Sequence, residues 1–241
     1  MSDPAVSYRH SAATRILHWV NALCVVLALM SGLQIFNAHP RLYWGAAGAN
    51  SDAALLQFSP PGQPVFPGWA TLPSWYDLAA GRRWHFFVAW LLVMNSLLFV
   101  AVSVASGHFR RDLLPARGEL SWRHIARVIR DHARLRFPRG PQARYYNILQ
   151  KLAYLAVIFV LAPVVLGTGL ALSPGFDAAA PWLVVLWGGR QSARTLHFFA
   201  AATVALFILV HLAMVVLAGP WNGLRSMVTG RFRIPAEKFP P

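Results

Sequence analysis

Four histidines lie inside or at the edges of long apolar runs of the sequence: His18, His85, His197 and His211. An imidazole is costly to hold at membrane depth, so such residues usually mark a functional site. His197 and His211 are separated by 14 residues, which corresponds to about 21 Å along a helix and an angle roughly 40° short of four full turns. One helix would therefore present two imidazoles on nearly the same face, at two depths.

The residue types near these histidines favour one kind of ligand. Zinc takes four protein ligands, or three and an open position, and no carboxylate or cysteine stands at ligand spacing from the histidines. A proton relay would normally include Asp or Glu, and the four apolar runs contain neither. Haem b needs two axial nitrogens and an apolar pocket, and a four-helix bundle can supply both.

Arginine precedes three of these histidines by three residues, in the segments RILH, RRWH and RTLH. Positions i and i+3 are neighbours on a helix, and Arg15, Arg82 and Arg194 are each one turn nearer to water than the histidine. Guanidinium groups pair with carboxylates, so these arginines are candidates to hold haem propionates. The alternative is that they are ordinary flanking residues that extend to the membrane interface.

Helices that cross a membrane must position these side chains. The chain has 241 residues, of which 56% are hydrophobic and 12% charged, whereas a soluble domain carries about 25% charge. Four apolar runs are long enough to cross the bilayer as helices, and they cover residues 16–36, 84–105, 152–172 and 196–217. The sequence thus predicts an all-α integral membrane four-helix bundle, with residues 1–241 forming a single domain.

The basic residues predict the orientation of the bundle. Of the 22 Lys and Arg residues, 17 lie before the first run, in the loop 106–151 or after the fourth run. The positive-inside rule then places both termini and the loop 106–151 in the cytoplasm of a bacterial inner membrane, and the loop 37–83 outside. This distribution fits contact with membrane lipid and does not favour nucleic acid as a partner.

This orientation sorts the histidines into two pairs. His18 and His211 fall near the inner face, and His85 and His197 fall near the outer face.

Within the inner loop, apolar residues recur at helical spacing over residues 120–129 with arginines between them. That pattern predicts an amphipathic helix at the surface of the anionic inner leaflet.

Several segments resemble one known family. RILHWVNALCVVLALMSGL, RRWHFFVAW, YNILQKLAYLAV, TGLALSP and the block from GGRQSARTLH to MVTG are similar to the bacterial cytochrome b membrane subunits of the b561 type. That family serves hydrogenases, formate dehydrogenases and thiosulfate reductases. The GGRQSAR segment and the proline-rich outer loop look more like relatives that accompany periplasmic molybdenum-containing oxidoreductases.

The resemblance implies two b haems. It pairs His18 with His211 on the inner haem and His85 with His197 on the outer haem, the same pairs that depth gives. It also implies a quinone site, for ubiquinone or menaquinone, close to one haem. Asn147 and Gln150 open the third helix at the inner face, just before the apolar run 152–172, so their amides are candidates to bind a quinone carbonyl. An amide cap at a helix start is the simpler alternative.

The function we expect is electron transfer between the quinone pool and a periplasmic redox enzyme, as the quinone-reactive subunit of an oxidoreductase complex. Two alternatives stay open at this point. One is a stand-alone oxidoreductase of the same fold, which would pass electrons from a donor such as superoxide to quinone. The other is a membrane protein without redox activity, in which the histidines are structural.

Overall fold

A computed structural model of the chain describes residues 6–60, 62–134, 136 and 145–234. Helices form most of it, and the longest four confirm the predicted all-α membrane bundle, because each is long and apolar enough to cross a membrane. In chain order the helices are α1 (Ala12–Asn37), α2 (Leu78–Ala105), α3 (Trp122–Ala133), α4 (Ile148–Leu172), α5 (Pro174–Ala179), α6 (Trp182–Leu186), α7 (Arg190–Ala218) and α8 (Pro220–Thr229). The strands are β1 (Val6–Tyr8), β2 (Arg41–Leu42), β3 (Leu56–Gln57) and β4 (Arg231–Arg233).

Large apolar side chains cover the outside of the four long helices. Leu23, Met94 and Leu209 are exposed by 62%, 63% and 65%. In water, so much contiguous apolar surface would be an aggregation hazard. In a bilayer the same surface meets lipid tails, so its exposure agrees with the four candidate spans.

Helix α4 contains a break in its regular hydrogen bonding. One π-helical turn occupies Val157–Leu161, and Pro163, which lacks a backbone donor, follows at the start of the next regular turn. Both features are common causes of helix bending. Further along α4, a Cβ on Gly167 would lie 2.9 Å from Cζ2 of Trp187, so the glycine allows the indole to pack against the helix backbone.

The chain forms two compact units. The first contains Met1–Trp19, Ser96–Val157 and Phe207–Pro241, and the second contains Val20–Asn95 and Ile158–Leu206. In the first unit, β1 and β4 pair antiparallel, with Val6 opposite Arg233. This pairing joins the segment before α1 to the segment after α8.

The amphipathic helix predicted in the loop 106–151 is present in the first unit as α3. Its N-terminus is capped by Ser121, whose hydroxyl accepts a hydrogen bond from the backbone N–H of His124. None of its residues is buried, and Trp122 and Ile129 are exposed. The helix therefore presents apolar side chains and arginines to its surroundings, as a helix at a membrane surface would.

In the second unit, side chains at the end of α1 organise the long loop that follows it. The Asn37 amide oxygen accepts hydrogen bonds from the backbone N–H groups of Val65 and Phe66, each at 2.9 Å. Gln34 donates to the Trp75 carbonyl at 2.6 Å. Within the loop, β2 and β3 pair antiparallel in a short ladder. The loop is thus anchored at several points to the helix that precedes it.

The start of α7 also requires a glycine. Gly189 has a φ of +105°, and a Cβ there would lie 2.5 Å from the Gly45 carbonyl oxygen and 2.7 Å from the Ala46 nitrogen. The backbone of Gln191 and Ser192 donates to the same Gly45 carbonyl. A side chain at this position would therefore both strain the backbone and push the Gly45–Ala46 segment away from α7.

We expect Gly189→Ala to destabilise the protein by about 1–3 kcal/mol, because strained backbone of this kind costs that much per residue. Thermal unfolding in detergent, followed by tryptophan fluorescence, measures the loss. Gly175→Ala is the matched control, since no atom lies within 4 Å of its added Cβ. Equal melting temperatures for the two variants would contradict this account of the α7 start.

Candidate cofactor-binding site

The second unit brings His85 of α2 and His197 of α7 together. Their ring centroids are 6.1 Å apart and the ring planes are inclined at 74°. Both side chains are partly buried. The two imidazoles are thus close neighbours, one on α2 and one on α7.

The Nδ1 atom of each ring in this pair is held by another helix. His85 Nδ1 lies 3.1 Å from the Ala28 carbonyl oxygen of α1, and His197 Nδ1 lies 3.1 Å from the Val165 carbonyl oxygen of α4. A carbonyl oxygen can only accept, so we assign the proton to Nδ1 in both rings. The lone pair of each ring is then on Nε2, the atom available to bind a metal.

The first unit brings together His18 of α1 and His211 of α7. Their ring centroids are 6.4 Å apart and the planes are inclined at 66°. Trp19 approaches the His18 ring edge-on at 5.6 Å, and Phe207 stacks on His211 at 6.1 Å. The four histidines therefore lie in the two pairs that the sequence predicts, one pair in each unit.

The separation of the rings suits a single metal ion between two imidazoles. A bond of about 2 Å between a metal and an imidazole nitrogen puts two trans rings about 6 Å apart, centroid to centroid. The measured values are 6.1 and 6.4 Å. Among the described residues, no group of three or more His, Cys, Asp or Glu side chains is arranged to hold a metal ion. This donor set, two imidazoles without a carboxylate, fits haem iron and does not fit a zinc site.

Small residues let the rings of the His85–His197 pair approach the neighbouring backbone. A Cβ on Gly32 would lie 3.5 Å from Cε1 of His85, and one on Gly169 would lie 3.3 Å from Cε1 of His197. The second distance is tighter than most contacts of this kind. The absence of a side chain at these two positions therefore allows each imidazole to lie against the backbone of the neighbouring helix.

The three arginines proposed for propionates all contact protein groups. Arg15 donates to the Val228 carbonyl in the last turn of α8. Arg194 donates to the His39 carbonyl, and its guanidinium lies 5.9 Å from the ring centroid of Phe36. The guanidinium of Arg82 lies 6.0 Å from the ring centroid of Phe86. Their role toward propionates stays a prediction.

The two amides proposed for quinone form a reciprocal cap at the start of α4. The Asn147 amide oxygen accepts from the Gln150 backbone N–H at 3.0 Å, and the Gln150 amide oxygen accepts from the Asn147 N–H at 3.2 Å. The Asn147 amide nitrogen also lies 3.3 Å from Nε2 of His132. The simpler alternative, an N-terminal cap, is therefore present, and a quinone role for these amides stays a prediction.

A polar cavity of about 70 Å³ lies close to this cap in the first unit. It is lined by Arg9, His108, Arg111, Asp112, Tyr145, Tyr146 and Lys151. His108 and Asp112 form a pair at 2.7 Å. Burial raises the pKa of the Tyr146 hydroxyl above its ordinary value, and the neighbouring Tyr154 adds to the effect. The raised pKa keeps the Tyr146 hydroxyl protonated, so it is a hydrogen-bond donor beside this cavity.

Two other side chains of the first unit, His10 and Glu119, have pKa values below their ordinary ones. Burial, followed by the charge of Arg9, lowers the pKa of His10 to about 4. Burial alone would raise the pKa of Glu119, but hydrogen bonds from Lys151 and from the Ala116 backbone hold it below the ordinary 4.5. The Lys151–Glu119 ion pair, at 2.7 Å, joins α4 to the turn that precedes α3.

Sequence reasoning missed two hydroxyl side chains beside the histidines. Ser31 Oγ lies 3.1 Å from His85 Nδ1, and Thr168 Oγ1 lies 3.0 Å from His197 Nδ1. Both residues are fully buried. The available signal was a hydroxyl followed by glycine inside an otherwise apolar run, at Ser31–Gly32 and Thr168–Gly169.

Neighbouring histidines on membrane-spanning helices are the arrangement that haem-binding helix bundles use, so the fold and the site point to a membrane cytochrome. The chain belongs to the prokaryotic cytochrome b561 family, whose model matches residues 9–230. The family resemblance of the quoted segments is thereby confirmed. Together with the four apolar helices, this makes the chain a multi-pass bacterial membrane protein, a b-type cytochrome that binds haem b and takes part in transmembrane electron transfer.

Three relatives cover nearly the whole chain. It is 30% identical over 208 residues to a putative protein-methionine-sulfoxide reductase subunit YedZ1 of Azospira oryzae, covering 86% of this chain and 90% of the relative. It is 23% identical to a probable Ni/Fe-hydrogenase B-type cytochrome subunit of Cupriavidus necator, with 93% and 86% covered. It is 22% identical to a probable subunit of the same kind from Bradyrhizobium diazoefficiens, with 92% and 84% covered.

We expect Glu119→Gln to lower the melting temperature by about 2–4 °C at neutral pH, as a loss of about 1 kcal/mol would in a chain of this length. The folded-state pKa of Glu119 lies below 4.5, so the stabilisation is present above pH 4.5 and is lost as the pH falls below it. The difference between wild type and variant should therefore shrink toward pH 4. Melting curves at both pH values measure it, with Asp52→Asn as the control. A difference that grows on acidification would contradict this role.

Proposed function

We propose that the protein is a di-haem cytochrome that carries electrons across the membrane between the quinone pool and a periplasmic redox enzyme. The observation that carries the proposal is that four histidines form two pairs, with ring centroids 6.1 Å apart in His85–His197 and 6.4 Å apart in His18–His211. His197 and His211 lie 14 residues apart on the continuous helix α7, about 21 Å along its axis. Two one-electron carriers at that spacing suit transfer between the two faces of a membrane.

In this proposal the four imidazoles would hold the haem iron, and in His85 and His197 the nitrogen available for it is Nε2. Haem supplies the one-electron redox chemistry. The protein holds each ring in place, fixes the proton on Nδ1 where a carbonyl accepts it, and surrounds the pair with apolar side chains that exclude water. Arg15, Arg82 and Arg194 are proposed to pair with the haem propionates from positions one turn nearer to water.

The quinone site is proposed in the first unit, close to the start of α4. A quinone takes up or releases protons together with electrons, so its site needs groups that exchange protons. His108 and Lys151, which carry exchangeable protons, line a cavity near Asn147 and Gln150 together with Tyr146, whose hydroxyl can donate a hydrogen bond. This grouping supports the proposal. Ubiquinone and menaquinone both present carbonyl oxygens that an amide N–H or a protonated side chain can bind.

A redox-enzyme partner is proposed from the names of the relatives. One is described as a subunit of a protein-methionine-sulfoxide reductase and two as hydrogenase cytochrome subunits. The higher identity is to the first, which favours a reductase-type partner, and we extend this to a periplasmic molybdenum-containing enzyme. The loop 37–83 is proposed as its docking surface. Trp69, Trp75 and Tyr76 of this loop are exposed by 83%, 66% and 65%, and aromatic residues are enriched at protein interfaces.

The histidine assignment predicts the haem content of single variants. We expect purified wild type to contain two haem b per chain, and His85→Ala, His197→Ala, His18→Ala and His211→Ala each to lose one of them. Haem extraction and reduced-minus-oxidised spectra measure the content, normalised to protein. His124→Ala, on α3, is the matched control and should retain both haems. A His211→Ala variant that keeps two haems would exclude the proposed pairing.

The quinone assignment can be separated from the capping role by a substitution that preserves the cap. Serine is as good an N-cap as asparagine, so Asn147→Ser should keep the melting temperature while removing the amide group. We expect it to slow haem reduction by a soluble quinol about tenfold, as loss of one hydrogen bond to the substrate would. Stopped-flow absorbance measures the rate. An unchanged rate would leave Asn147 as a cap alone.

A further inference from the structure

We infer that Ser31 and Thr168 are positioning residues that orient the His85–His197 pair and lower the redox potential of the haem it holds. The inference rests on the proposed haem ligation and assigns a role to two residues outside the ligand set. It also predicts that the two haem sites of the protein are tuned by different means. The two hydroxyls, together with the carbonyls of Ala28 and Val165, are here named the histidine cradle.

The direction of the hydrogen bonds in the cradle follows from counting protons. The Ser31 hydroxyl lies 2.8 Å from the Leu27 carbonyl oxygen, and the Thr168 hydroxyl lies 2.6 Å from the Val164 carbonyl oxygen. Each hydroxyl has one proton, and the carbonyl four residues earlier takes it. The hydroxyl oxygen then presents a lone pair to the histidine, so each Nδ1–H is shared between a carbonyl and a hydroxyl.

The cradle is built twice from one local pattern. On α1, Ala28 supplies the carbonyl, Ser31 the hydroxyl and Gly32 the close approach. On α4 the same three roles recur, with the same spacing, at Val165, Thr168 and Gly169. A carbonyl, a hydroxyl three residues later and a glycine four residues later all lie on one side of a helix. This recurrence on two helices argues against a chance contact.

The other pair lacks this arrangement. His18 and His211 have aromatic neighbours, but in the part of the chain that the structure describes no hydrogen bond to their ring nitrogens is found. Hydrogen bonding at Nδ1 makes an imidazole a more basic ligand. A more basic ligand favours ferric over ferrous iron. The cradle should therefore lower the potential of the haem at the His85–His197 pair and leave the other haem unaffected.

The test is a potentiometric titration of purified holoprotein, followed through the haem absorbance. In Ser31→Ala and Thr168→Ala one acceptor of the Nδ1–H is lost and the carbonyl remains. We expect each to raise the midpoint potential of one haem by about 28 mV, a threefold change in the reduction equilibrium at 59 mV per tenfold for one electron. The double variant should shift the same haem further, and the second haem should not move.

Three controls separate tuning from simple loss of structure. Thr203→Ala removes a hydroxyl that also bonds the carbonyl four residues earlier, on the same helix as His197, without touching a histidine, and it should leave both potentials unchanged. Ser31→Thr and Thr168→Ser keep a hydroxyl at the same position, so both variants should have the midpoint potentials of the wild type. Electron paramagnetic resonance of the ferric protein reports the ring orientation independently, and only one haem signal should broaden in the double variant.

The outcomes distinguish the role of Ser31 and Thr168 from the proposed haem ligation on which that role rests. If His85→Ala loses one haem but the double variant Ser31→Ala/Thr168→Ala keeps both potentials, the ligation stands and the cradle role is overturned. The role is equally overturned if both haems shift together. If His85→Ala retains two haems, the proposed ligation is wrong and the inference falls with it.

Discussion

A buried imidazole has two nitrogen atoms that must both be satisfied, and the spanning helices offer few polar groups for that purpose. In the His85–His197 pair the solution is a main-chain carbonyl, which has a second lone pair beyond its helical hydrogen bond. The carbonyls of Ala28 and Val165 each take the Nδ1 proton of one ring. That single choice fixes the tautomer and leaves the lone pair of each ring on Nε2, where it is available to bind a metal.

The surrounding architecture follows from this requirement. Helices α2 and α7 supply the imidazoles, while α1 and α4 supply the carbonyls, the hydroxyls and the glycines beside which the rings lie. Every one of the four long helices thus has a role at the pair, including α4, which carries no histidine. The outer surfaces of the same helices need only be apolar, and their exposed leucines and valines, together with Met94, suit contact with lipid. The loop after α1 is fixed by polar side chains at the helix end, so the helix that forms part of the cradle also anchors the loop.

The sequence was sufficient for the histidine pairs because three simple regularities coincide: span length, helical angle and the asymmetry of basic residues. It was not sufficient for the cradle, because a serine or threonine in an apolar run bonds its own helix backbone whether or not a histidine lies beside it. The amides of Asn147 and Gln150 show a similar limit, since capping and ligand binding use the same chemical groups. The order in the loop 37–83 was also beyond prediction. It depends on hydrogen bonds such as those between the Asn37 side chain and the Phe66 backbone. Such bonds join residues that are far apart in the sequence, so they produce no periodic pattern in it.

The central claim is that each histidine pair holds one low-spin haem through two imidazoles. Electron paramagnetic resonance of the oxidised wild-type protein, combined with haem and iron determination on the same sample, tests it most directly. We expect two haems per chain and low-spin ferric signals from both, without a high-spin component in intact protein. One haem per chain, or a stoichiometric high-spin signal from an iron with a single imidazole ligand, would contradict it.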